Sequence, residues 1–289
     1  MKAQKDYLRL GLVGFPILHS PSPGLHAAAM RALGLDGEYQ LYPVAPIPEG
    51  IAALRALVDR LRKGKLHGLN ITIPHKQAIL PLLDGLTPEA EAIGAVNTLL
   101  RDGNKVIGTN TDAPGFIRDF VPLLAGRQDC RAWVLGAGGA ARAVAYGLVS
   151  SGWQVIVSAR RLEQARQLAA DFEGFGRPGA VQPAWLESEA LTRLGRLDAV
   201  INATPLGAFP QVEGCPWPFD LPLPQGAVVY DLIYHPAETR LLRLARESGL
   251  AARGGLGMLV EQAGLALELW SGQPVPRQAM WNQVEGVTQ

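Results

Sequence analysis

Ala132-Trp133-Val134-Leu135-Gly136-Ala137-Gly138-Gly139-Ala140-Ala141 decides the fold. Its first four residues read as a short apolar strand. From Gly136 small residues break the run and open a helical stretch, in the pattern Gly-x-Gly-x-x-Gly/Ala. Small residues let backbone amides approach a pyrophosphate, and the aligned amides of a helix N-terminus supply partial positive charge there. Strand, motif, helix and a following strand point to a dinucleotide held by Gly136, Ala137, Gly138, Gly139 and Ala140.

Downstream, strands read at Gln154 to Ser158, Ala199 to Asn202 and Val228 to Leu232, with helices after Gly139, Leu162 and Glu238. Alternating strands and helices predict a doubly wound parallel sheet. An NAD site wants a carboxylate at the end of the second strand, but here that strand runs into Val157-Ser158-Ala159-Arg160-Arg161. Guanidiniums bind phosphate in a bidentate fork, so Arg160 and Arg161 favour the 2′-phosphate of NADP. Thr204, ending the Ala199 to Ala203 strand, is placed at the carboxyl edge where such sheets hold ligands.

Upstream, Leu8 to Val13 reads as a strand, and Gly14 to Pro23 as a loop that leads into a helix over Pro23 to Leu33, with Ser22 or Ser20 at its N-cap. Glu49 to Arg62 carries one apolar helical face, and Gly68 to Ile73 is a strand ended by Pro74. Asn97 to Leu100 and Lys105 to Thr109 flank Asp102-Gly103, a hairpin turn signal that makes this first sheet mixed though mostly parallel. Pro114 opens a helix reaching about Leu124. The pair Gly254-Gly255 reads as a flexible joint before an amphipathic helix, Met258 to Leu269, which returns the chain to the first domain. The expected class is α/β. A substrate domain of residues 1–112 and 255–289 joins a Rossmann-type nucleotide domain of residues 113–254, with a cleft between them.

The 289 residues suffice for two domains, and 48% hydrophobic with 18% charged residues is a globular composition. A net charge of +1 argues against nucleic acid as a partner. Neither a secretory leader nor an apolar run long enough for a membrane is read. The two cysteines, Cys130 and Cys215, suggest neither disulfide nor zinc, which fits a reducing cytoplasm. The five histidines show no metal spacing, so no metal is expected.

Several segments together resemble the shikimate dehydrogenase family over nearly the whole chain. They are Pro16-Ile17-Leu18-His19-Ser20-Pro21-Ser22-Pro23, Asn70-Ile71-Thr72-Ile73-Pro74-His75-Lys76, Gly94-Ala95-Val96-Asn97-Thr98, Asn110-Thr111-Asp112, the Gly136 motif, Asn202-Ala203-Thr204, Tyr230-Asp231-Leu232-Ile233-Tyr234 and Gly255-Leu256-Gly257-Met258-Leu259-Val260-Glu261-Gln262. The resemblance implies reversible reduction of 3-dehydroshikimate to shikimate with NADPH, in the biosynthesis of chorismate and aromatic amino acids. It gives Lys76 and Asp112 the catalytic roles and assigns Ser20 and Ser22 to the substrate carboxylate. Thr72, Asn97 and Gln262, with Asn70 less directly, go to the substrate hydroxyls. Tyr234 is placed on the cofactor side of the substrate, and Leu232, Gly255 and Met258 near the nicotinamide.

The chemistry suits these residue types. Hydride delivery to a ketone builds negative charge on its oxygen, which an ammonium stabilises and protonates, so Lys76 is the general-acid candidate. In reverse, a nearby Asp112 carboxylate favours charged lysine and opposes its acting as a base, which leaves the proton path open. One departure from the family is Ala159-Arg160-Arg161 in place of its usual Asn-Arg-Thr or Asn-Arg-Ser. Two rival readings follow: a quinate/shikimate dehydrogenase using NAD, and a non-catalytic ligand sensor on the same fold. The expected ligands are small molecules, and the expected state is monomer or homodimer.

Overall fold

The computed structural model describes residues 7–124, 126–127, 129–218 and 220–285. The chain forms two compact units, Met1–Thr111 with Val260–Gln289, and Asp112–Leu259.

The first unit contains β1 (Leu8–Gly14), α1 (Ser22–Leu33), β2 (Gly37–Pro43), α2 (Ile51–Arg62), β3 (Gly68–Ile71), α3 (His75–Ala78), β4 (Gly85–Leu86), α4 (Pro88–Ile93), β5 (Thr98–Asp102) and β6 (Lys105–Thr109). Its sheet runs β2-β1-β3-β5-β6-β4, with β5 antiparallel to both neighbours and the other pairings parallel. The Asp102-Gly103 signal is realised as the β5–β6 hairpin, with Gly103 at φ 57. Leu54, Leu57, Val58 and Leu61 of α2 are buried with Leu69, Ile71, Leu99 and Val106 of the strands. That packing is why the 3.6-residue pattern in this stretch becomes a helix.

The second unit contains α5 (Asp112–Phe120), β7 (Arg131–Leu135), α6 (Gly139–Ser150), β8 (Gln154–Ser158), α7 (Leu162–Asp171), β9 (Val181–Pro183), α8 (Ser188–Leu194), β10 (Ala199–Asn202), β11 (Val228–Asp231), α9 (Arg240–Glu247) and β12 (Ala252–Gly254). Its strands are all parallel, in the order β12-β11-β10-β7-β8-β9. Alternate strand residues enter two separate cores. Ala132, Val134, Val155, Val157 and Ile201 belong to one, and Trp133, Leu135, Ile156 and Val200 to the other. Burial on both faces explains why these strands read as unbroken apolar runs. Helix α10 (Leu256–Ser271) begins in this unit and continues into the first, where α11 (Arg277–Glu285) packs on α1.

Three expectations need correction, and one strand was missed. Neither Ser20 nor Ser22 is the N-cap of α1: Pro21 takes that place in a helical conformation without a side-chain cap bond, and Ser22 is the first helical residue. Pro23 is the reason, since its fixed φ starts the helix early. Pro114 is the third residue of α5 rather than its opener, and the helix gives way to a 3₁₀ turn at Val121–Leu124. Gly254-Gly255 is no loose joint: Gly254 ends β12, and a Cβ on Gly255 would lie 2.2 Å from the Leu232 carbonyl oxygen. Gly255 permits this close backbone approach. Finally, β2 was not anticipated as a strand; it is a sheet edge whose Glu-Tyr-Gln-Leu-Tyr shows no clean apolar alternation.

Candidate active site

In the first unit, the ends of β1, β3 and β6 and the start of the antiparallel β5 share one edge, because Asn70 is opposite Thr98 and Thr98 opposite Thr109. The segment after β1 carries Ser20 and Ser22; the Ser20 hydroxyl donates to the Ser22 hydroxyl (3.1 Å) and accepts from the Ser22 N–H (3.3 Å). The segment after β3 carries Thr72, whose N–H donates to the Val13 carbonyl at 2.9 Å. Gly14 has no Cβ because one would meet Thr72 Cγ2 at 2.4 Å, so the two strand exits are pressed together. Lys76 follows in α3, and its carbonyl accepts from the Val96 N–H at 2.8 Å, which ties the lysine turn directly to the residue before Asn97.

Asn97 is 2% exposed and is the hub of this edge. Its Oδ1 accepts from the Thr111 N–H (2.7 Å) and the Thr98 hydroxyl (2.9 Å). Its Nδ2 donates to the Thr111 hydroxyl (2.9 Å) and to Gln262 Oε1 (3.4 Å) on α10. The sheet edge thus brings together Ser20, Ser22, Thr72, Lys76, Asn97 and Gln262. Asp112, buried at 4% exposure, is the next residue after Thr111 and the first of α5. Sequence reading missed Tyr39 of β2, whose hydroxyl donates to Asn70 Oδ1 at 2.7 Å. No spacing signal in the sequence marks that pair, 31 residues apart.

In the second unit the strand order turns back between β7 and β10, and the carboxyl ends there form the crevice where open α/β sheets bind ligands. Gly136 leaves β7 at φ 111, a conformation that favours glycine, and a Cβ there would meet the Ala203 carbonyl oxygen at 3.0 Å and Thr204 Cγ2 at 3.2 Å. Gly138 is the N-cap of α6, without a side-chain cap bond, and a Cβ on it would point into open space. Ala137 precedes it, Gly139 begins the helix and Ala140 continues it, so uncapped N–H donors face that space. This cradle fits a pyrophosphate. Arg160 and Arg161 are both exposed, with Arg161 at the N-cap of α7, where β8 ends.

The Ala199 strand stops at Asn202, so Thr204 lies beyond it rather than ending it; its N–H and hydroxyl donate to Asn202 Oδ1 at 2.9 and 2.7 Å. Asn202 Nδ2 in turn donates to Asp231 Oδ1 (2.9 Å), which also receives the Ile233 N–H, while Oδ2 receives the Thr239 hydroxyl (2.7 Å). Burial pushes the Asp231 carboxyl up to about 6, against the downward pull of its Thr239, Ile233 and Asn202 hydrogen bonds. Leu232 and Tyr234 follow in the same loop, and burial pushes the Tyr234 phenol up. Gly255 lies against the Leu232 backbone, and Met258, 7% exposed, sits in the first turn of α10.

Two family profiles match the chain: the shikimate dehydrogenase substrate binding domain over residues 12–99 and the shikimate 5′-dehydrogenase C-terminal domain over residues 255–285. A shikimate dehydrogenase (NADP(+)) of Salinibacter ruber is 44% identical, with 94% of each chain covered. Among solved structures, a shikimate dehydrogenase in complex with NADP+ superposes with a TM-score of 0.88 at 34% identity, over 98% of this chain and 96% of that one. The Thermus thermophilus shikimate 5-dehydrogenase in complex with NADP(H) and shikimate gives 0.81 at 36% identity, over 96% and 99%.

Proposed function

This chain belongs to the shikimate dehydrogenase family, and from that premise we propose how its own residues carry the reaction. It is an oxidoreductase of the shikimate pathway that reversibly reduces 3-dehydroshikimate to shikimate with NADPH. The relatives' names give shikimate and NADP(+), so a quinate reading with NAD carries less support. No helix among the described residues is long and apolar enough to cross a membrane. We take the enzyme to work in the cytoplasm, as monomer or homodimer.

Bound NADPH supplies a hydride to the substrate's carbonyl carbon. The remaining work falls to side chains. Ser20 and Ser22 hold the substrate carboxylate through hydroxyl donors, and Thr72, Asn97 and Gln262 hold the ring hydroxyls. Lys76 directs its ammonium at the carbonyl oxygen, stabilises the charge that grows there and gives it a proton, so ketone, hydride and proton balance to the alcohol. Asp112 is the second member of the proposed catalytic pair. Tyr234 closes the substrate from the cofactor side. Gly136, Ala137, Gly138, Gly139 and Ala140 would hold the pyrophosphate, Arg160 and Arg161 the 2′-phosphate, and Thr204, Leu232, Gly255 and Met258 would line the nicotinamide end.

The observation that carries this reading is the gathering of Ser20, Ser22, Thr72, Lys76, Asn97 and Gln262 along one sheet edge. Lys76→Ala should cut turnover about 10²- to 10⁴-fold while shikimate affinity changes far less. Steady-state kinetics with a calorimetric shikimate titration decide it; unchanged turnover rejects the role of Lys76.

A further inference from the structure

Behind the substrate edge of the first unit runs a chain of buried hydrogen bonds that the reaction itself does not use. Tyr39, 8% exposed, donates its hydroxyl to Asn70 Oδ1. Asn70 Nδ2 donates to the Asn97 carbonyl (3.1 Å) and the Thr98 hydroxyl (3.0 Å). Having accepted from Asn70, Thr98 sends its own proton to Asn97 Oδ1.

Groups that act one way only fix the amide polarities. The Asn97 carbonyl only accepts, so Asn70 Nδ2 faces it and Thr98, which leaves Oδ1 to take the Tyr39 proton. Thr98 then has only its proton to give to Asn97 Oδ1. That oxygen, also held by Thr111, turns the Nδ2 side of Asn97 towards Gln262. Burial pushes the Tyr39 phenol far up, against the downward pull of its Ser22 bond, which keeps it a donor. Its ring is clamped flat on His26, with centroids 4.1 Å apart and planes 6° apart.

We propose that Tyr39 is a positioning residue for substrate recognition: through Asn70 and Thr98 it braces the Asn97 amide, whose Nδ2 is turned to Gln262, in the place from which that pair meets the ligand hydroxyls. The inference rests on Asn97 and Gln262 binding the substrate hydroxyls. It assigns no contact between Tyr39 and the reacting atoms.

The test uses the full chain carrying Tyr39→Phe, Thr98→Val, both together, and Asn97→Ala as reference. Steady-state kinetics in both substrates, calorimetric shikimate binding and thermal melting are read. Tyr39→Phe should raise the KM and Kd for shikimate about 5- to 20-fold, with the KM for NADP within about twofold. Thr98→Val should do the same, and the double variant should be no more than about twofold worse than the worse single one, since both act through one amide. A shikimate Kd within twofold of the parent, an equal rise in both KM values, or multiplying effects in the double variant overturns the proposal. Should Tyr39→Phe fail to fold, Thr98→Val decides alone: the selective rise supports the proposal and its absence overturns it. Silence of Tyr39→Phe beside a damaging Asn97→Ala rejects only the role of Tyr39. Silence of Asn97→Ala rejects the substrate site, and the proposal with it.

Discussion

His26 is fully buried, and neither ring nitrogen finds a hydrogen-bond partner among the described residues. Desolvation lowers its value from 6.5 to about 3, so the ring stays neutral in the fold. A depressed native value means stability present above 6.5 and lost as pH falls towards 3. Asp231 runs the other way, since its value is raised from 3.8 to about 6 and its contribution is lost as pH rises through that window. His26→Phe keeps a flat ring on Tyr39 and isolates the histidine. Between pH 6.5 and 4.5 denaturant unfolding should show the parent losing about 2–3 kcal/mol more than the variant. Parallel acid limbs would remove this account. A second residue-scale prediction concerns Arg160, an exposed side chain that we propose takes the 2′-phosphate. Arg160→Ala should raise the KM for NADP about tenfold and leave that for NAD within twofold, which kinetics with both cofactors would reveal.

Elements were legible where burial imposed a period. Strands β7, β8 and β10 are flanked by cores on both faces, so their apolar runs survive in the sequence. Strand β2 is paired on one side only, and its polar residues gave no such run. At the site, ordered motifs marked Lys76, Asp112 and Asn97. Tyr39 stayed hidden because its role comes from a bond across the sheet that local spacing does not encode. The same limit explains Gly254-Gly255, where a turn composition concealed a strand end and a tight approach. Gly255→Ala makes that approach measurable. Its Cβ would press on the Leu232 backbone, which is held by a bond from its N–H to the Asn202 carbonyl, so neither side yields cheaply. The expected cost is about 1–3 kcal/mol in unfolding free energy, together with weaker NADPH binding in a fluorescence titration, because Leu232 and Met258 flank the glycine. A variant with parental stability and affinity would show that the approach is dispensable.

At the scale of the molecule, the two units differ in how the chain builds them. Residues 112–259 are continuous and contain the complete six-stranded parallel sheet and both of its cores. The first unit is discontinuous and depends on residues 260–289. There Trp270 donates its indole N–H to the Leu99 carbonyl (3.0 Å), lies where a Cβ on Gly68 would strike it, and packs at 5.7 Å from His26; α11 covers α1. Gln262 comes with the same segment. A chain ending at residue 259 therefore loses the cover of β3 and α1 as well as Gln262, which we propose binds the substrate, whereas the parallel sheet of the second unit loses no strand. The excised 112–259 fragment should unfold cooperatively and bind NADPH within about tenfold of the full chain. The 1–259 chain should keep that binding, lose shikimate binding, and show one calorimetric transition where the full chain has the cores for two. If the fragment failed to unfold cooperatively or to bind NADPH, the nucleotide site would need the first unit, and the chemistry assigned to Gly136, Arg160 and Thr204 would not be self-contained.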